Sequence, residues 1–190
     1  MSVRSAITTT LRAVPTRWGL ALPAAVVAVD QLTKWAATRA FGEPMSICAS
    51  NPDVAQVGHH IEVSPIADLS LLCNPGVSWG LLQGDSPLKR WALLLFALGM
   101  IAVLYNILAT ARDTLTRLCV SMLIGGAIGN AIDRALFGAV TDFVDASDIG
   151  FNYVFNVADS AITIGIVGLI FTFIRDALTE RREAKAGAAK

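Results

Sequence analysis

The chain has 190 residues, 54% of them hydrophobic and only 16% charged, with a mean hydropathy of +0.59, whereas soluble domains carry about 25% charged residues. Fifteen Lys and Arg balance fifteen Asp and Glu, so there is no basic footprint and nucleic acid is excluded as the main partner. The apolar content excludes disorder, and the modest Gly and Pro counts exclude collagen-like and low-complexity classes.

A bilayer core of about 30 Å takes roughly 20 apolar residues of helix. The first stretch of that kind is 18–40, interrupted in its second half by Asp30, Lys34 and Arg39. Arg4, Arg12 and Arg17 precede it as in a signal peptide, but it runs on into DQLTKW without a small-residue cleavage site, so a retained anchor is expected. Residues 42–60 are rich in Gly, Pro, Ser and Asn and read as a flexible loop. The segment IEVSPIADLSLL (61–72) mixes β-branched and polar residues around Pro65 and predicts two short strands. Ser86 and Pro87 read as the N-cap and first turn of a second span, at about 91–110, which has almost no polar face. The third span, 118–137, carries Gly125 and Gly129 as a small-residue face for close helix packing. The fourth is 156–174, followed beyond Glu180 by a charged tail read as a frayed helical end. The predicted architecture is an all-α membrane protein of four transmembrane helices, one integral-membrane domain over 1–190, with outer loops at 41–89 and 138–155.

Basic residues gather at Arg4, Arg12 and Arg17, at Arg112 and Arg117, and at Arg175, Arg181, Arg182, Lys185 and Lys190. Acids dominate the other two loops, through Glu43, Asp53, Glu62, Asp68 and Asp85, then Asp142, Asp145 and Asp148. The positive-inside rule therefore sets both termini and 111–117 in the cytoplasm. At 1.5 Å per residue, Asp30 lies about 18 Å along its helix from Trp18, and Asp133 about 23 Å from Leu118. Asp30, Asn130, Asp133, Asn156 and Asp159 then share one layer toward the outer surface, with Asp142 in the loop above. Ionisable groups at that depth mark function. Cys48 and Cys73 share one loop and are able to pair, but spacing alone shows no bridge, so free, dispensable thiols are expected. Cys119 is expected to be a core thiol near the opposite face.

Two carboxylates that share one proton can activate water for amide hydrolysis. The chain has neither an HExxH helix nor a GxSxG elbow. His59 and His60 are adjacent in a loop and read as exposed side chains, so no metal is expected. Structural readings stand beside the chemical one. Asp30 and Lys34 are spaced for an intrahelical ion pair, Asp133 and Arg134 for a buried pair that sets helix register, and the asparagines for interhelical hydrogen bonds. A proton-coupled transporter accounts for intramembrane Asp and Asn nearly as well as a protease, although four short spans without a discontinuous repeat make a poor alternating-access machine. A structural bundle without chemistry is the third reading.

DQLTKW at 30–35, NPGVSWGLL at 74–82, GNAIDRALFGAVTDFVD at 129–145 and FNVADSAITIG at 155–165 together resemble the bacterial lipoprotein signal peptidase (signal peptidase II) family, over most of 18–178. The resemblance implies a membrane aspartic endopeptidase that removes signal peptides from diacylglyceryl-modified prolipoproteins. It cuts before the lipidated cysteine with water activated by a dyad. The catalytic aspartates fall on Asp142 and Asp159. Asp30, Lys34, Asn74, Gly76, Asn130, Asp133, Arg134 and Asn156 match positions that bind substrate or support the site. Also implied are a small extracytoplasmic β-cradle and no cofactor. The expected partners are the prolipoprotein signal peptide and membrane lipid, with the chain a monomer in the bacterial cell (inner) membrane, both termini cytoplasmic.

Overall fold

The computed structural model describes residues 17–50, 60–76 and 87–188. Five helices and four strands are described: α1 (Arg17–Ala40), α2 (Ile47–Ser50), β1 (His60–Ile61), β2 (Asp68–Asn74), α3 (Pro87–Thr110), α4 (Thr114–Phe137), β3 (Val140–Ala146), β4 (Phe151–Phe155) and α5 (Val157–Ala188). A single 3-10 turn, Ser147–Ile149, joins β3 to β4. The expected Ser86 cap, His59, and the NPGVSWGLL segment beyond Gly76 lie outside the described residues, as do Arg4 and Arg12.

Helix α4 is the hub, packed against α5, α1 and α3. Its glycines explain how two backbones come so close. A Cβ on Gly126 would stand 2.5 Å from the Ala158 carbonyl oxygen of α5, and one on Gly125 would stand 2.7 Å from Val26 Cβ of α1. The expected small-residue face is therefore a double face, one side for each neighbour. Asp113 caps the start of α4 by accepting the Thr116 N–H at 3.0 Å. Gly138, at φ +83°, ends it in a left-handed turn. Against α3, the packing is Leu104 and Leu108 on Val120, Leu123 and Ile124, while Leu95, Phe96 and Leu98 stay exposed.

Three of these helices are long and apolar enough to cross a membrane: Arg90–Thr110, Thr114–Phe137 and Val157–Gly187. Helix α1 has the length but carries Asp30, Lys34 and Arg39. It turns Asp30 and Lys34 inward, fully buried, and leaves Leu20, Val29, Leu32 and Trp35 exposed. The charged tail after Glu180 continues α5 as regular helix to Ala188.

The two strands expected within 61–72 are β1 and β2, parted by the turn at Pro65. They belong to a four-stranded antiparallel sheet in the order β1-β2-β3-β4. Its other half, β3 and β4, arises from 138–155, where only an acidic loop is expected from the sequence. Asp142 and Asp145 interrupt the apolar alternation there, so that segment shows no strand pattern.

The cysteine expectation is corrected. Cys48 and Cys73 form a disulfide, with S–S 2.03 Å. Residues 47–50 are likewise not loop but the short helix α2. Ile47 and Cys48 are buried with Leu71, Cys73 and Ala139, against Phe41 and Phe137. An apolar pair inside a polar segment was the signal for this anchorage, and its partner strand is visible only once the sheet is formed. Cys119 is free and buried, as expected.

Candidate active site

The site is built where α4 ends, α5 begins and the sheet packs against α4 and α1. Lys34 is its fully buried cation. Its ammonium donates to Asp30 Oδ2 at 2.8 Å, to Asp133 Oδ2 at 2.9 Å and to Asn130 Oδ1 at 3.3 Å. All three ammonium donors are thereby used. A charge so deep is tolerated only with that full set of partners, and removing one partner leaves an uncompensated ion.

The two carboxylates beside Lys34 each reach a second element. Asp30 Oδ1 accepts the Ala158 N–H at 2.9 Å, which fixes the first turn of α5 from α1. This contact needs Gly129, since a Cβ there would stand 2.7 Å from Asp30 Oδ2. Asp133 Oδ2 accepts the Thr141 N–H at 3.0 Å and so ties α4 to β3, one residue before Asp142. Gln31 donates to Asp133 Oδ1 at 2.9 Å and to Asp30 Oδ2 at 3.2 Å.

Asp142 and Asp159 are connected through the asparagines. Asn156 Nδ2 donates to Asp142 Oδ1 at 2.6 Å and reaches Asn130 Oδ1 at 3.2 Å. Asn130 Nδ2 donates to Asp159 Oδ1 at 2.7 Å. Asn156 also accepts the Asp159 N–H at 2.9 Å and is thus the N-cap of α5. On the other side, Asn74 Nδ2 donates to Asp142 Oδ2 at 3.0 Å. Asn74 is itself oriented by accepting the Gly76 N–H at 2.8 Å, with Gly76 at φ +94°. Burial, and next the negative charge of Asp159, push the Asp142 carboxyl up to about 7, against the lowering effect of Asn74, Lys34 and Asn156.

Arg134 lies beside this pair. Its Nη1 donates to the Asn130 carbonyl at 3.3 Å. Its Nε is buried without a hydrogen-bond partner among the described residues. A Cβ on Gly76 would stand 2.6 Å from Leu93 Cδ1 and would touch Arg134 Nη2 at 3.4 Å, so with φ at +94° this position takes glycine. The expected Asp133–Arg134 pair is replaced by Asp133–Lys34, because residues adjacent on a helix point about 100° apart and Asp133 faces α1.

The residues that the family resemblance assigns to the site thus lie in this one region: Asp30, Lys34, Asn74, Gly76, Asn130, Asp133, Arg134, Asp142, Asn156 and Asp159. Two contributors were missed. Gln31 had its place in DQLTKW as the only signal, and Thr141 acts mainly through its backbone, which no side-chain pattern reveals. His60 sits elsewhere, on β1, 3.1 Å from Asp68 Oδ2 and 3.1 Å from Ser70 Oγ. Among the described residues, no group of three or more His, Cys, Asp or Glu is arranged to hold a metal ion.

The family described as signal peptidase (SPase) II matches residues 22–175. A lipoprotein signal peptidase of Methylobacterium sp. (strain 4-46) is 39% identical over 153 residues, covering 80% of this chain and 86% of the relative. One from Rhodopseudomonas palustris (strain TIE-1) is 35% identical, covering 83% and 92%. A solved structure described as a bacterial membrane enzyme superposes with a TM-score of 0.67 at 27% identity, covering 84% of this chain and 88% of the other.

Proposed function

The chain belongs to the signal peptidase II family of aspartic proteases, which acts on prolipoproteins, and we propose that Asp142 and Asp159 are its catalytic dyad. The observation that carries this reading is the relay Asp142–Asn156–Asn130–Asp159, which holds two carboxylates at the start of α5 with Asp142 poised near 7. Near neutral pH one member then holds a proton while the other is charged. Asp159 takes a proton from the attacking water as its oxygen bonds to the scissile carbonyl carbon. Protonated Asp142 gives its proton to the carbonyl oxygen. Collapse of the tetrahedral intermediate breaks the C–N bond: the proton on Asp159 passes to the leaving amine, and one hydroxyl of the intermediate returns its proton to Asp142 as the new carbonyl forms.

The substrate under this reading is a prolipoprotein cut before a cysteine that already carries diacylglycerol. Such a substrate stays in the bilayer, and a site at the membrane surface meets it by lateral diffusion. Arg134, with donors beside the dyad, binds the peptide backbone. Asp30, Lys34, Asn130 and Asp133 hold the frame, while Asn74, Gly76 and Asn156 orient Asp142. The reading also takes α1 as a fourth membrane span, its charges satisfied inward, within a single integral-membrane domain. It sets both termini in the cytoplasm, the sheet outside the bacterial inner membrane, and the chain working as a monomer without metal or cofactor.

The test is purified protein in detergent with a diacylglyceryl-modified prolipoprotein. Cleavage at the bond before the lipidated cysteine is expected, insensitive to EDTA. Proton-driven solute flux in liposomes without any cleavage would overturn the assignment, and so would EDTA-sensitive activity restored by zinc.

A further inference from the structure

The Cys48–Cys73 disulfide ties α2 to β2 from within the core, both cysteines being almost wholly buried. Each end abuts the residues that set Asp142. Cys73 directly precedes Asn74, the donor to Asp142 Oδ2. It is also the ladder partner of Thr141. Cys48 Sγ lies 3.6 Å from Thr141 Oγ1, and because a bridged sulfur has no proton, the hydroxyl is the donor. Thr141 in turn gives its N–H to Asp133, accepts Asn156 at its carbonyl, and leads into Asp142.

The ladder around Asp142 is short. After a register shift between Leu69 and Leu72, β2 and β3 pair only as Leu72 with Asp142, Cys73 with Thr141 and Asn74 with Val140. A slip of one residue would turn Asn74 to the opposite face of the sheet. A covalent link at Cys73, anchored through α2, forbids that slip.

We propose that the Cys48–Cys73 disulfide is a positioning element for the Asp142 carboxylate, and that the chain reaches full turnover only after these two thiols are oxidised. This rests on the dyad reading above. Oxidation forms the S–S bond and removes two protons and two electrons, which pass to a disulfide-bearing oxidant that is reduced to a dithiol. Such oxidants act in the oxidising space outside the inner membrane, where the proposed topology sets β2.

The experiment compares three forms on a Cys119→Ala background: disulfide intact, reduced after folding and kept in reductant without alkylation, and Cys48→Ala/Cys73→Val. Each is assayed for kcat and KM on the lipidated prolipoprotein. Each is also titrated by isotope-edited infrared spectroscopy, the Asp142 band being assigned by difference from Asp142→Asn. The charged groups facing Asp142 are Asp159 of α5, Lys34 of α1 and Arg134 of α4, and all are unchanged among the three forms. Loss of the bridge is expected to lower kcat by about tenfold or more, as small misplacements do, with KM little changed. The Asp142 midpoint should fall toward the ordinary carboxylate range as water reaches it. A folded form without the bridge that keeps both the kcat and the midpoint of the bridged form overturns the proposal. If the double variant does not fold, the reduced prefolded enzyme carries the same comparison. If the bridged enzyme cleaves nothing, the dyad reading fails by itself, and an Asp142 midpoint indifferent to reduction then rejects the positioning role separately.

Discussion

At Asp142 two effects act in one direction, since burial and the charge of Asp159 both favour the protonated acid. Its folded value near 7 exceeds the ordinary 3.8, so the folded protein binds more protons than the unfolded chain between those limits. The associated stability is full below about pH 4 and is lost as pH rises through about 7. Asp142→Asn should therefore flatten the decline in thermal stability across that range, measured in detergent, while cutting cleavage per folded molecule by about a hundredfold or more. Asp159→Asn should abolish cleavage to a similar degree, because neither remaining carboxyl can act as both acid and base. Asp30→Asn and Asp133→Asn should instead lower folded yield together with activity. Each leaves Lys34 short of a charge partner and loosens either the start of α5 or the approach to β3. Near-normal turnover in Asp142→Asn, with Asp133→Asn inactive but well folded, would move the partner of Asp159 to Asp133. Asp30, Asp133 and Asp159 were visible in the sequence because charge in an apolar stretch stands out, whereas Asp142, in an acidic loop, was singled out through the family resemblance. Gln31 and Thr141 were not, since an amide beside an aspartate and a backbone N–H carry no such contrast.

Among the elements, α4 shows how much depends on missing side chains. At Gly126 an added methyl meets the backbone oxygen of Ala158 at 2.5 Å, whereas at Gly99 of α3 it meets nothing within 4 Å. Gly126→Ala should therefore destabilise by about 1–3 kcal/mol through overpacking. Gly99→Ala should be neutral or stabilise by up to about 1 kcal/mol through helix propensity. Thermal unfolding of the two variants side by side checks this, and equal behaviour would show that α4 and α5 are not in close register. The link between α2 and β2 spans a sequence separation of 25 residues, and loop-closure entropy alone assigns it about 3.5 kcal/mol. The four long helices were legible because their apolar runs match the length of a span, whereas the single turn of α2 is too short to show a pattern. Strands β3 and β4 were not legible, since β3 is buried on both faces yet carries Asp142 and Asp145, and β4 is largely exposed, so neither shows a clean hydrophobic alternation.

For the whole molecule, the charge asymmetry and the sheet's position make a joint prediction. A cysteine introduced at Ser147, between β3 and β4, should react with an impermeant thiol reagent from outside intact cells, and one at Thr114, at the start of α4, should not. Reaction at Ser147 only after the cytoplasmic side is opened would reverse the proposed orientation. Under the proposed orientation α1 also crosses the bilayer, with Asp30 and Lys34 paired inside the bundle.

Apolar runs, charge placement and four ordered motifs were enough to identify the membrane class, the family and the residues around which the site is built. These properties are local, written in composition and spacing. The partners of those residues belong to the folded chain: Lys34 with Asp133 rather than Arg134 with Asp133, Asn156 shared between Asp142 and the start of α5, and Cys48 bonded to Cys73. Each joins residues on different elements, and such pairings follow from distances and directions that exist only after α4, α5 and the sheet have packed together.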